Sequence, residues 1–330
     1  MNPATPFGFR IVGPCSGDRR LVDWQAAFSG YADCVQRARV ELEAYLSAFT
    51  FGPDFRDYLK TTGSTRGYNG SCGAAWLWFD IDRDPDAGGV AAALQDARKL
   101  AVALSDRYGV DDAAQLWFYS GSKGFHVGIR TDLWAPEPSI DFHRIARCFA
   151  EAIAEAAGVV IDTGVYDKVR AFRAPNSRHP KTGRHKRCLI VDELMRLTAE
   201  AIVNMAGEPM PFELPDSPPE SSDFLTGHWN TASRQVREQA EAAEYRRADR
   251  DQGNGEPTLN RLTLQFIREG ANQGDRHRLL YSAARNLSEL GCPPALAHAL
   301  LTESALDSGL PPAEVRRQIG CGLKDGRGPA

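Results

Sequence analysis

The chain has 330 residues, with 43 acidic and 39 basic side chains and a formal net charge of −4. No global positive field therefore advertises a nucleic-acid partner, and such a role must rest on local clustering within about a Debye length. No apolar run approaches the ~20 residues of a membrane span, no signal-peptide pattern opens the chain, and the seven cysteines, without a C-x-x-C pair, read as reduced thiols of a cytoplasmic protein.

At this length the chain can bury a sizeable core and hold more than one domain. Ala74–Phe79 is continuously apolar between Gly73 and Asp84-Pro85, which predicts a buried strand running into Asp80-Ile81-Asp82. Alternation along a strand sends Asp80 and Asp82 to one face. Two carboxylates so close raise each other's pKa unless a cation lies between them, so the strand end is a metal-site candidate. Taken alone, an Asp-x-Asp pair is also common in turns and caps.

Val90–Tyr108 predicts a helix stopped by Gly109. Gln115–Tyr119 and Val127–Ile129 are short strands, joined by Ser120-Gly-Ser-Lys-Gly-Phe-His126. Gly121 and Gly124 let the backbone approach an anion closely, and Lys123 and His126 add cationic or hydrogen-bonding contacts. The segment is not a Walker A loop, and its plain alternative is a hairpin turn with a surface lysine and a half-buried histidine. Phe142–Ala157 is a further helix. Val159–Ile161 is β-branched and predicts a strand ending at Asp162. Beyond it Lys168, Arg170, Arg173, Arg178, Lys181, Arg184, Lys186 and Arg187 follow with no acid among them. Arginine's planar fork suits phosphate oxygens, although a charge run is most often a solvated loop. His179, His185 and Cys188 lie close in this segment, but three ligands without a fourth leave a tetrahedral zinc site incomplete.

The three segments together resemble the archaeo-eukaryotic primase superfamily in its bifunctional primase–polymerase branch. Asp80 and Asp82 match the family's paired acids. Ser120, Ser122, Lys123 and His126 match its SG-x-[KR]-G-x-H signature. Asp162 through Arg173 is similar to its D-x-G-V-Y…R-x-F-R run. The likeness covers roughly residues 70 to 190.

The resemblance implies an α+β fold: an RRM-like catalytic core with an adjoining α/β module. It implies that Asp80, Asp82 and Asp162 hold Mg²⁺ or Mn²⁺, and that Ser120, Ser122, Lys123, His126, Arg170 and Arg173 bind the triphosphate of an incoming NTP or dNTP. Arg178, Lys181, Arg184 and Lys186 are candidates for the single-stranded DNA template. The implied reaction is two-metal attack of a primer 3′-hydroxyl on the α-phosphate, with Tyr68 and Asn69 near the nucleotide sugar. A replicative helicase would be a separate chain. The rivals are an end-joining-type repair polymerase of the same superfamily, a rolling-circle initiator endonuclease and a non-catalytic RRM-like module. The endonuclease needs a second metal-binding histidine that His126-Val-Gly128 lacks, and the RRM-like module needs exposed aromatics on central strands.

Residues 1–206 thus read as the catalytic domain and 207–257 as a Pro-rich, charged linker with a solvated helix over Ser233–Asp251. Residues 258–330 read as a small helical domain built from Leu259–Glu269, His277–Leu290, Ala295–Ser304 and Pro312–Gly320. Gly270, Gly291, Gly309 and Gly322 are its stops, and Leu279, Leu280, Ala283 and Leu287 form one apolar stripe. The resemblance implies that this tail assists primer initiation.

Overall fold

A computed structural model describes residues 5–215, 220–252, 259–272 and 274–326, apart from the side chains of 245–252. Pro218, Pro219 and the run 253–255 lie outside the described residues. The fold is α+β, with antiparallel sheets and a C-terminal helical region, in two compact units, Met1–Ala243 and Glu244–Ala330.

The first unit opens with β1 (Phe7–Val12), β2 (Arg20–Asp23) and α1 (Trp24–Ala32), whose first turn is capped by the Asp23 carboxylate accepting from the Ala26 N–H at 2.8 Å. β3 (Ala44–Ser47), β4 (Thr50–Phe51), α2 (Pro53–Thr62) and β5 (Cys72–Gly73) follow. These strands, with β9 (Ala171–Arg173), form a six-stranded sheet in the order β5-β4-β1-β3-β9, with β2 on β1. The second sheet is built from β6 (Trp76–Asp82), β7 (Gln115–Tyr119), β8 (Gly124–Arg130) and β10 (Arg187–Leu189) in the order β10-β7-β8-β6. In chain order it runs β6, α3 (Gly89–Val102), β7, β8 and α4 (Phe142–Ala156), with β10 joining after β9 of the first sheet, and β6 lies at one edge.

Residue parity explains the two faces of this second sheet. Leu77, Phe79 and Ile81 are at most 1% exposed and lie on the face covered by α3. Trp78, Asp80 and Asp82 point the other way, toward β9 of the first sheet, where the Phe172 ring lies 5.4 Å from Trp78 and 4.3 Å from His126. The α3 helix continues through a π-type turn at Ala103–Arg107 to Gly109, which has φ +61°.

Three expectations need correction here. Val159–Ile161 forms no strand: the segment runs beside the edge of β6 with the Asp162 N–H donating to the Asp80 carbonyl at 2.8 Å. The Val160 carbonyl is taken by the Arg83 guanidinium at 3.1 Å instead of a ladder, and the Val160 side chain is 73% exposed. The Pro-rich stretch is not a free linker: Phe212 packs edge-on to Phe118 with ring centres 5.3 Å apart, and Arg130 donates to the Pro215 carbonyl at 3.1 Å. The following helix, α7 (Asp223–Gln252), begins before the expected Ser233, and in that added stretch Leu225, Trp229 and Ala232 are buried, with Trp229 against Trp134, Phe142 and Phe149. Within the expected span Val236 is buried and the rest of 233–244 is exposed or half-buried. The first unit therefore extends well past residue 206, because large apolar side chains of the stretch complete its core. Between β10 and α7 lie α5 (Val191–Arg196) and α6 (Ala199–Met205).

The second unit contains α8 (Arg261–Glu269), α9 (Arg276–Glu289), α10 (Pro294–Asp307) and α11 (Pro312–Asp325). The Asn260 side chain caps α8, and prolines open α10 and α11. Leu280, Ala283 and Leu287 are buried as the stripe requires, and Gly270, Gly291 and Gly309 take positive φ at helix ends. Gly322 is no stop. It sits inside α11 where a Cβ would come within 2.6 Å of the Tyr281 carbonyl and 2.7 Å of Ala284, so it lets two backbones approach. No helix among the described residues is long and apolar enough to cross a membrane.

Candidate nucleotide-binding cleft

Where β9 faces the end of β6, Tyr45, Asp80, Asp82, Ser120, Ser122, Lys123, His126, Arg170, Arg173 and His179 surround a cleft of about 180 Å³, floored by Ala171 and Phe172. Strand register builds most of it. Asp80 lies opposite His126 and Asp82 opposite Gly124, while His126 is also level with Phe118 on β7. A Cβ at Gly124 would stand 2.1 Å from the Ile81 carbonyl and 2.3 Å from Asp82 Oδ1, so glycine is what allows the carboxylate to lie across the strand. A larger cleft of about 650 Å³ beside β10 is mainly apolar and holds none of these groups; chemistry, not size, singles out the smaller one.

Asp80 is nearly buried, and burial first, then the charges of Asp82 and Asp162, push its carboxyl up to about 8 against the opposing pull of Lys186 and Arg170. Its Oδ1 is buried without a hydrogen bond, 3.5 Å from His126 Nε2. Burial, with Lys186 and Arg173 nearby, drives the His126 pKa well below the usual histidine range, so the contact joins a neutral ring to a carboxyl rather than two charges. His126 Nδ1 is likewise buried and unpartnered. Burial also raises Asp82, partly offset by Lys123, whose Nζ lies 3.4 Å from Asp82 Oδ2 and 3.0 Å from Asp84 Oδ1.

The turn between β7 and β8 is a hairpin turn and a wall of the cleft at once. Ser120 Oγ accepts from the N–H groups of Ser122 and Gly124 at 3.3 Å each, and Gly121 has φ +84°. Opposite, Arg173 pairs with Tyr45 in the β9–β3 register; its guanidinium lies 5.1 Å from the Tyr45 ring centre and donates to the phenol oxygen at 3.3 Å. Burial and the hydroxyl's hydrogen bond to Glu43 push Tyr45 up to about 12, so it stays protonated. Arg170, one residue before β9, is exposed at the same rim. Tyr45 did not stand out in the sequence, and His179 did so only as a possible zinc ligand, because their approach to this cleft depends on pairing between segments far apart in the chain.

Other expected residues lie elsewhere. Asp162 is exposed, and its Oδ1 caps its own 3₁₀ turn by accepting from the Gly164 N–H at 2.8 Å. Among the described residues no three His, Cys, Asp or Glu side chains gather as a metal-ligand group, although Asp162 is tied to Asp80 through the main chain and its charge acts on both Asp80 and Asp82. His185 Nδ1 meets the Asn176 carbonyl at 2.6 Å. The basic run is not a solvated loop. Residues 176–187 fold as a hairpin with Arg178 bridged to His185, in which Arg178 donates to the Gly183 carbonyl at 3.1 Å and Arg184 to the Val203 carbonyl. Lys181 is exposed, but Lys186 is 1% exposed and unavailable to a template. Tyr68 is also taken: its hydroxyl donates to Asp54 at 2.7 Å and its ring packs on Phe51 and Phe55.

Asp80 and Asp82 offer hard oxygen donors on a rigid strand, one of them unpartnered, which suits Mg²⁺ or Mn²⁺ shared with substrate phosphates. No protein-family model matches the chain and no curated protein matches it. Among solved structures it is similar to that of primase RepB', at 13% sequence identity and a TM-score of 0.37, covering 98% of this chain and 93% of that one. At that level of superposition the functional reading stands on the cleft.

Proposed function

We propose that this chain is a template-directed nucleotidyl transferase, a DNA primase that also extends primers. The observation that carries the reading is the meeting, around one cleft, of a carboxyl pair on β6 with one oxygen of Asp80 buried and unpartnered, the Gly-rich turn after β7 and two arginines at β9. Asp80 and Asp82 would hold Mg²⁺ or Mn²⁺, which when bound would supply Lewis-acid catalysis of the transfer. Arg170 and Arg173 take the triphosphate oxygens of an incoming NTP or dNTP through charge-assisted bonds. Lys123, on the turn beside Asp82 and Asp84, joins them at the triphosphate, and Ser120 and Ser122 keep the turn in shape. Neutral His126 offers a ring N–H at the base of the cleft. Asp162 tunes the pair through its charge from the rim. The single-stranded DNA template selects the base by pairing, and Lys181 and Arg178 on the exposed hairpin turn are its nearest cationic contacts. Strand separation falls to a separate helicase.

Purified protein with unprimed single-stranded DNA, labelled nucleotides and Mg²⁺ or Mn²⁺ should yield short products that need both cation and template. Extension of annealed primers alone would replace the primase reading with that of a repair polymerase. No incorporation with either substrate would remove the nucleotidyl-transfer reading.

A further inference from the structure

We propose that Lys186 is a positioning residue for the triphosphate cradle: its terminal amino group clamps β9 onto the acid-bearing sheet and so fixes Arg173 at the cleft. The inference rests on the nucleotidyl-transfer reading and deepens it. Lys186 Nζ stands 5.1 Å from the Trp78 ring centre, 4.6 Å from that of Phe118 and 4.5 Å from that of Phe172. The three rings come from β6, β7 and β9, so the amino group is packed between both sheets at once. Nζ also donates to the main-chain carbonyl of Arg173 at 2.9 Å. Gly128, opposite Trp78 in the β6–β8 register, makes the cage possible, since a Cβ there would lie 2.7 Å from the indole.

Burial pushes the Lys186 amine well below the usual lysine range, and an apolar side chain of the same length would fill such a space without that desolvation cost. Stability alone therefore gives a poor account of a lysine here. What lysine adds over methionine is a hydrogen-bond donor at the root of Arg173. Without that donor the β9 carbonyl loses its tie to the second sheet. Arg173 then keeps its stacking on Tyr45 but loses its fixed distance from Asp80, and the cradle widens.

The test uses the full chain and titrates a non-hydrolysable nucleoside triphosphate with Mg²⁺, alongside thermal melting and single-stranded DNA binding. Lys186→Met should melt no lower than the wild type, weaken nucleotide binding about tenfold, as expected for one lost tie of this kind, and leave DNA binding unchanged. Lys186→Gln keeps a donor for the carbonyl and should recover most of the loss; this variant also decides the matter if the methionine variant does not fold. In an Arg173→Ala background Lys186→Met should add nothing, because it acts through Arg173. Wild-type nucleotide affinity in Lys186→Met, a glutamine variant as weak as the methionine one, or full additivity with Arg173→Ala would overturn the clamp. A wild-type chain that binds no nucleotide would instead overturn the reading on which the clamp rests.

Discussion

Asp80→Asn replaces the most perturbed carboxyl of the cleft by a neutral group of the same shape. With the divalent cation chelated away, folded Asp80 keeps its proton up to about pH 8, whereas the unfolded chain releases it near the ordinary value of 3.8. The stability tied to this proton is fully present below the unfolded value and is lost as pH rises through the folded one. At about 1.4 kcal/mol per pH unit, the interval corresponds to at most roughly 6 kcal/mol. Structural relaxation and water entry reduce it, and about 2 kcal/mol is the working figure. The amide of the variant gains nothing from a proton, so its advantage over the wild type should grow by that amount between pH 5 and pH 8.5. In melting temperature this is roughly 4–8 °C for a unit of this size. The assay is thermal melting of both proteins in chelator at the two pH values, repeated with excess Mg²⁺ or Mn²⁺. The cation should raise the melting temperature of the wild type at pH 8.5 and leave that of the variant nearly unchanged. An asparagine effect of equal size at both pH values would refute the buried-carboxyl argument, and an equal response of both proteins to the cation would refute the metal assignment.

Arg173→Ala should weaken nucleotide binding by about 1–3 kcal/mol, the worth of a charge-assisted bond, while leaving single-stranded DNA affinity within a factor of two; the reverse pattern in paired titrations would misplace the cradle. Gly322→Ala should destabilise the second unit by about 1–3 kcal/mol through overpacking against Tyr281 and Ala284, read as a lower melting temperature for that unit alone. A chain ending at Ala243 should fold and still extend annealed primers, whereas one ending at Gly207 should not fold, because it lacks Phe212, Leu225, Trp229 and Val236 of the first core; circular dichroism melts of the two truncations check this.

The elements that could be read from sequence are those whose pattern is local. The apolar run into Asp80, the 115–119 strand, the 142–157 helix and the tail helices each carry their own periodicity and stop signals. Asp80 and Asp82 share a face by alternation alone, and the turn after Tyr119 is marked by its glycines. What remained hidden depends on partners far away in the chain. Val159–Ile161 has strand composition, yet Arg83 claims the carbonyl that a ladder would use. Lys186 has the look of a surface lysine in a basic run until three aromatic residues from two sheets close around it. Phe212 and Trp229 sit among prolines and charges that suggest a linker, and only the tertiary core shows where they belong. Tyr45 enters the cleft through the register of β3 with β9, a pairing that no local pattern announces.

The most direct test of the central claim is the template-dependent transfer of an α-labelled nucleotide to a 3′-hydroxyl by the wild type, Asp80→Asn and Asp82→Asn, each first shown to melt cooperatively. The account predicts incorporation by the wild type in Mg²⁺ or Mn²⁺, and a loss of at least about a thousandfold in both variants, the scale of removing a principal electrostatic stabiliser. Undiminished incorporation by either folded variant, or none by the wild type, would contradict it.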